Sequence, residues 1–213
     1  MSPVSTTPSS LWLHPAPLLL ASGSAARATM LRGAGLPLSV EPARIDERAV
    51  ESQLVHQGDA SPDSIALGLA HAKALDVSGR SPGAIVLGAD QTLSCDGMAF
   101  HKPADRQAAM SQIMLLSGRS HELHSAYALV SDGKVLAQGA ASARLVMRPL
   151  SARFVESYLD TAGAAALASV GGYQLESLGV QLFESVDGDH FTILGLPLLM
   201  VLASLRQLDV LAG

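Results

Sequence analysis

A chain of 213 residues fits one sizeable domain, or two lobes around a shared sheet, and is long enough to bury a core. With 48% hydrophobic and 15% charged residues its composition is globular and excludes a disordered chain. The formal net charge of −5, without any basic stripe, argues against a nucleic-acid polymer as partner, although a few focused cations can still hold a small polyanion.

Cys95 is the only cysteine; this excludes an intrachain disulfide and a cysteine-based zinc knuckle, and fits a reducing, cytoplasmic compartment. No apolar run approaches transmembrane length, so no membrane partner is expected. Residues 1–17, rich in Ser, Thr and Pro and without a basic n-region, read as a flexible N-terminal extension ahead of a single domain over 18–213.

Taken in chain order, Leu18–Ala21 reads as a buried strand that runs through Ser22-Gly23-Ser24 into a helix over 24–33. A small-residue turn at a helix start directs several unpaired backbone N–H groups at one point, where an anion can satisfy them. With the hydroxyls of Ser22 and Ser24 and the Arg27 guanidinium added, the expected guest is a phosphate or phosphate ester. An ordinary βα turn with a Ser N-cap has the same pattern. A short strand near 38–41 leads to a loop over Ala43-Arg44-Ile45-Asp46-Glu47. Ser61-Pro62-Asp63 then opens a helix to about 78. On it Lys73 lies at the edge of the Ile65–Leu69–Ala72 stripe; judged from the helix alone, it snorkels to solvent.

Ala84–Ala89 has strand length and is wholly apolar, so Asp90 is expected at the C-terminal end of a buried central strand, where open α/β sheets place their ligands. Asp96-Gly97 predicts a hairpin between 91–95 and 98–100, and Pro103 stiffens the turn that presents Lys102. A helix starts near Asp105 and stops at Ser117-Gly118, after which Arg119 is a candidate phosphate contact. Strands over 121–130 and 135–147 flank Ser131-Asp132-Gly133-Lys134. Ser151 caps a helix to about 160, and Leu196-Pro197 opens a last helix to about 208.

Glu47 and Asp90 are two carboxylates able to take an oxygen-ligated Mg²⁺ or Mn²⁺, with one free to draw a proton from water. Gly171-Gly172-Tyr173-Gln174-Leu175-Glu176 joins a flexible turn, an aromatic face and two hydrogen-bonding side chains, a set suited to base selection. Asp187-Gly188-Asp189 reads as a turn. The seven histidines lack zinc-hydrolase spacing, and neither Gly-x-Ser-x-Gly nor a Walker loop occurs.

The blocks Ser-Gly-Ser-x-x-Arg, Ile-Asp-Glu, Ala-x-Ala-Lys-Ala, Gly-Ala-Asp-Gln, Lys-Pro, Ser-Gly-Arg-x-His-Glu, Gly-Gly-Tyr and Gly-Leu-Pro succeed one another between residues 18 and 207. This succession resembles the Maf family of nucleotide pyrophosphatases. The resemblance implies an α/β fold with a curved mixed β-sheet flanked by helices, two lobes around a cleft, similar to inosine triphosphate pyrophosphatases. It implies hydrolysis of nucleoside triphosphates between the α and β phosphates, with a divalent cation. By motif, Asp90 matches the proton acceptor, Ser24, Arg27, Lys73 and Lys102 the phosphate-handling positions, and Glu47 a further acidic position. Frequent dimers in the family make a homodimer an expectation.

The chain departs from the family where Ser24-Ala25-Ala26-Arg27 replaces Ser-Pro-Arg-Arg, where His101 precedes Lys102-Pro103, and where His124-Ser125 replaces Tyr-Thr. Gln91 and Glu176 look like the subgroup preferring 7-methyl-GTP, whereas the dTTP/UTP subgroup carries Thr and Gln there. Ala26 lacks the bulky side chain expected in the 7-methyl-GTP subgroup and leaves the base open. Two further readings stand beside the enzyme: a non-catalytic nucleotide-binding regulator linked to cell division and septum formation, and a sugar-nucleotide binding module without a metal.

Overall fold

The apolar run at Leu18–Leu20 becomes a fully flanked strand, β1, parallel to β2 (Leu38–Val40) on one side and to β3 (Val86–Cys95) on the other. The structure, a computed structural model, describes residues 11–58 and 60–213. The sheet continues antiparallel from β3 through β5 (Ser120–Ser131) and β6 (Lys134–Met147) to β7 (Phe183–Asp187), while β4 (Met98–Phe100) hairpins onto β3. This is a mixed α/β sheet flanked by helices. Both hairpin turns use the Asp-Gly pair, with φ of 49° and 77° at Asp96 and Gly97 and 46° and 73° at Asp132 and Gly133. Two consecutive left-handed residues give the turn whose twist matches the strands on either side.

Helix α1 (Ala25–Gly33) comes after β1, and α2 (Glu47–His56) and α3 (Pro62–Ser78) lie between β2 and β3. The chain adds α4 (Arg106–Leu116), α5 (Ala152–Ala162), the short α6 (His190–Ile193) and α7 (Leu198–Gln207). The apolar side chains collect in three clusters. One joins β1, α1 and α7 through Leu20, Leu31, Leu87 and Leu205. A second joins α4 and α5 to the far halves of the long strands through Leu93, Ile113, Leu145 and Val155. The third is built of small residues, Ala66, Ala70 and Ala74 of α3 against Val86, Ala126 and Ala128. Truncating a fully buried leucine such as Leu87 costs about 2–5 kcal/mol in such cores.

Four features differ from the sequence reading. First, β3 does not end at Asp90: its ladder to β5 runs unbroken through Asp90↔Ala126, Gln91↔Ser125 and Thr92↔His124. Asp90 sits mid-strand because β3 passes there from the first core, which holds Leu87 and Ala89, to the second, which holds Leu93 and Cys95. Second, Glu47 opens a helix. Asp46 caps it by accepting from the backbone N–H groups of Arg48 and Ala49, both at 3.1 Å. Third, residues 163–182 wind through three 3₁₀ turns before β7. Fourth, of the stretch 1–17 expected to be a flexible extension, residues 1–10 lie outside the described residues, whereas Trp12 is buried and bridges Leu211 beyond α7. Among the described residues no helix is long and apolar enough to cross a membrane.

Candidate active site

The turn after β1 folds around its own arginine. Ser24 caps α1, its Oγ accepting from Arg27 N at 3.4 Å, while Ser22 Oγ accepts from Ser24 N at 3.3 Å and from Arg27 Nη1 at 3.0 Å. Arg27, itself buried, also donates from Nη1 to the Ala89 carbonyl at 2.9 Å and from Nε to the Gly195 carbonyl at 2.8 Å. The guanidinium therefore ties α1 to β3 and to the segment ahead of α7, and its Nη2 takes part in none of these bonds. Burial lowers the Arg27 pKa, and the carboxylates of Asp90 and Glu47 oppose that loss.

Lys73 is not a snorkelling surface lysine. It is 7% exposed, with Nζ 2.5 Å from Asp90 Oδ1 and 2.7 Å from Glu47 Oε1. The helix stripe could not reveal this because the partners lie on other elements. Gly88 makes the approach possible: a Cβ there would overlap the Ala70 carbonyl oxygen and the Ala74 backbone, so only glycine lets α3 settle this close to β3. Two residues further along β3, Asp90 comes under Lys73.

Glu47 reaches the same ammonium because the segment before α2 is pinned to α3. Arg44 N donates to Asp76 Oδ2 at 2.9 Å, and Arg80 pairs with both Asp76 and Glu41. Partial burial pushes the Glu47 carboxyl up, but the Lys73 hydrogen bond and the charges of Lys73, Lys102 and Arg27 outweigh it and leave the group below the usual carboxylate range.

These groups line a cleft of about 1400 Å³ that also exposes Ala26, Gln91, Lys102 and Glu176. Lys102 forms no ion pair among the described residues. The Gln91 carboxamide is fixed, Nε2 donating to Ser125 Oγ at 3.0 Å and to the carbonyls of Thr192 and Ile193 at 3.1 and 3.0 Å. Glu176 stands exposed on the rim. Every site residue expected from the family's motifs is thus at one cleft.

Some neighbouring expectations change. Tyr173 offers no aromatic face to a base: it is 4% exposed, its ring packed edge-on against Phe183. Arg119 does not line the cleft and pairs instead with Asp96 at 3.3 Å. Asp187-Gly188-Asp189 is a turn whose last residue caps α6. The sequence reading missed Arg48 and Glu51, which line the cleft from α2, and Gly195, whose carbonyl holds Arg27. Val50 and Leu54, four apart after an Asp cap, are the signal for that helix.

Whether the residues suit a divalent cation depends on the donor set. Among the described residues no group of three or more His, Cys, Asp or Glu could hold a metal ion. Glu47 and Asp90 have one oxygen each on Lys73 and one outside that pair. Two carboxylates are too few to cage a cation, but they fit Mg²⁺, which keeps most of its shell as water and substrate phosphate oxygens.

Comparison with known proteins agrees with this architecture. Residues 17–208 match the family described as Maf-like protein. A nucleoside triphosphate pyrophosphatase of Rhodopseudomonas palustris (strain BisB18) is 54% identical over 202 residues, 95% of this chain and 98% of that protein. A 7-methyl-GTP pyrophosphatase of Mesorhizobium japonicum is 53% identical over 196 residues, 92% of this chain and 98% of that protein. One from Brucella abortus biovar 1 is 50% identical with the same coverage. With a match over nearly its whole length and relatives at half identity or more, the chain belongs to the Maf family.

Proposed function

We propose that this protein is a nucleoside triphosphate pyrophosphatase, a hydrolase that cleaves the bond between the α and β phosphates to give a nucleoside monophosphate and pyrophosphate. The observation that carries the reading is the buried Lys73 ammonium shared by Asp90 and Glu47 on the wall of a cleft large enough for a nucleotide. The relatives named as pyrophosphatases support it.

In this reading the triphosphate lies between the Ser22–Arg27 turn and Lys102. Ser22 and Ser24 hydroxyls, Arg27 Nη2, the third N–H of Lys73 and the unpaired Lys102 ammonium meet its oxygens. Asp90 orients a water and takes its proton on a carboxylate oxygen. The water oxygen forms a bond to the α phosphorus, and the bond to the α–β bridging oxygen breaks with its electron pair leaving on pyrophosphate. A bound Mg²⁺ or Mn²⁺ held by Glu47 and Asp90 would supply charge neutralisation of the phosphate oxygens. Glu176, an acceptor on the rim, suits the N–H edge of a guanine, with Gln91 and Ala26 shaping the space beside it.

The products test the reading. Phosphorus NMR of a digest with Mg²⁺ should show monophosphate and pyrophosphate in equal amounts. Diphosphate with inorganic phosphate would overturn the assigned bond, and nucleotide binding without any cleavage would favour the non-catalytic regulator.

A further inference from the structure

The segment that carries Glu176 has little regular structure to hold it. It is a succession of 3₁₀ turns over 163–182, yet it supplies Tyr173, Gln174, Leu175 and Glu176 to one cleft wall. Its position is set away from the exposed rim, by the packing of Gly171 on Leu93 and of Gly172 on Ile113 and Ala109, and by further contacts of its own. Tyr158 of α5 donates its hydroxyl to the Gly172 carbonyl at 3.1 Å. Gly179 packs so closely on Gln174 that a Cβ there would overlap the Gln174 carbonyl. And the Tyr173 hydroxyl lies 2.7 Å from Nε2 of His121, a residue on β5 that is 2% exposed.

His121 is an expensive residue to bury for packing alone. Its Nδ1 is buried without a hydrogen-bond partner among the described residues, a polar atom that an apolar ring of similar size would not strand. Its ring stands 5.7 Å from Tyr173 and 5.8 Å from Phe183, so the three rings form one tilted cluster beneath the turn. The bond to Tyr173 stands in either histidine tautomer, since a phenol can both donate and accept. Gly171 and Gly172, with φ of 76° and 78°, reverse the chain immediately before Tyr173. The anchored ring therefore fixes where residues 174–176 leave the turn.

We infer that His121 is a positioning residue for base recognition: through its bond to the Tyr173 hydroxyl it holds the 171–176 turn so that Glu176 meets the base, while the phosphate end of the cleft is set independently by α1, α3 and β3. The inference rests on the proposed function and adds which buried contact sets its selectivity.

The test compares wild type with His121→Phe, which keeps the ring and loses the bond, His121→Gln, which keeps a polar end, and Tyr173→Phe as a second way to remove the same bond. The readouts are kcat and KM for a panel of guanine, 7-methylguanine and pyrimidine nucleoside triphosphates, and inhibition by pyrophosphate, which has no base. His121→Phe and Tyr173→Phe should each raise KM for the preferred nucleotide about tenfold and shrink its advantage over the others by a similar factor. kcat should fall by less than about threefold, a KM-against-kcat split expected of lost binding. His121→Gln should recover part of the advantage, and pyrophosphate should inhibit all four proteins alike. Unchanged selectivity in folded His121→Phe and Tyr173→Phe overturns the inference. So does a parallel loss of kcat, pyrophosphate inhibition and thermal stability, which would mark a purely structural role. Should wild type cleave no nucleotide, the enzymatic reading falls by itself, and calorimetric dissociation constants for the same nucleotides decide this one. Equal ratios in wild type and variants, or no nucleotide binding at all, would then contradict it.

Discussion

Lys73 Nζ lies 2.5 Å from Asp90 Oδ1 inside the protein, and the same ammonium reaches Glu47 at 2.7 Å, so one side chain on α3 ties the middle of β3 to the first turn of α2. The Lys73–Asp90 half is shielded from water, whereas Glu47 is 58% exposed at the side chain. The first contact therefore dominates the stability of the cluster, and the second serves the open side of the cleft.

Replacing Lys73 by Met leaves the buried Asp90 carboxylate without its cation. Breaking such a pair costs about 3–5 kcal/mol, and the double replacement Lys73→Met with Asp90→Leu should recover most of it because no buried charge is then left alone. Urea unfolding of the two variants and wild type reads both numbers. A single variant as stable as wild type would show that Asp90 is better solvated than its 8% exposure indicates.

The burial of His121 has a pH signature apart from any activity. Desolvation lowers its pKa from 6.5 to about 4. Between those values the unfolded chain binds a proton that the folded one refuses, so stability is full above pH 6.5 and declines as pH falls toward 4. The decline from this one residue is about 3 kcal/mol, and His121→Phe should remove it. Thermal or denaturant melts across that range check it; identical slopes in wild type and variant would contradict the account.

Gly88→Ala places a methyl group against the Ala70 carbonyl and the Ala74 backbone. Backbone cannot rotate away, so α3 must lift off β3 at a cost of about 1–3 kcal/mol. The same movement should lengthen the Lys73–Asp90 contact, seen as a loss of activity larger than the loss of stability explains. A variant that melts and turns over as wild type does would mean α3 shifts freely.

Much of this is legible in the chain. The strand of Leu18–Leu20, the Ser caps, the two Asp-Gly hairpin turns and the Pro62 helix start depend on local chemistry and appear where the residues place them. Asp90 reads as a strand end because a polar residue after the apolar run Ala84–Ala89 looks like an exit from the core. It is instead the point where one strand changes cores, which only the pairing with β5 reveals. Lys73 misleads for a related reason: helical periodicity says which face a side chain occupies but not what lies opposite. Tyr173 reads as an open aromatic face because nothing near it in sequence announces His121 and Phe183 beside it in space.

The most direct measurement is pyrophosphate release from nucleoside triphosphates with Mg²⁺ by wild type and Asp90→Asn. The account predicts turnover by wild type and a fall of about 10²–10⁴-fold in the variant, which should still bind nucleotide. An Asp90→Asn protein that releases pyrophosphate at the wild-type rate would contradict the role given to Asp90 and, with it, the mechanism built on the Lys73–Asp90 pair.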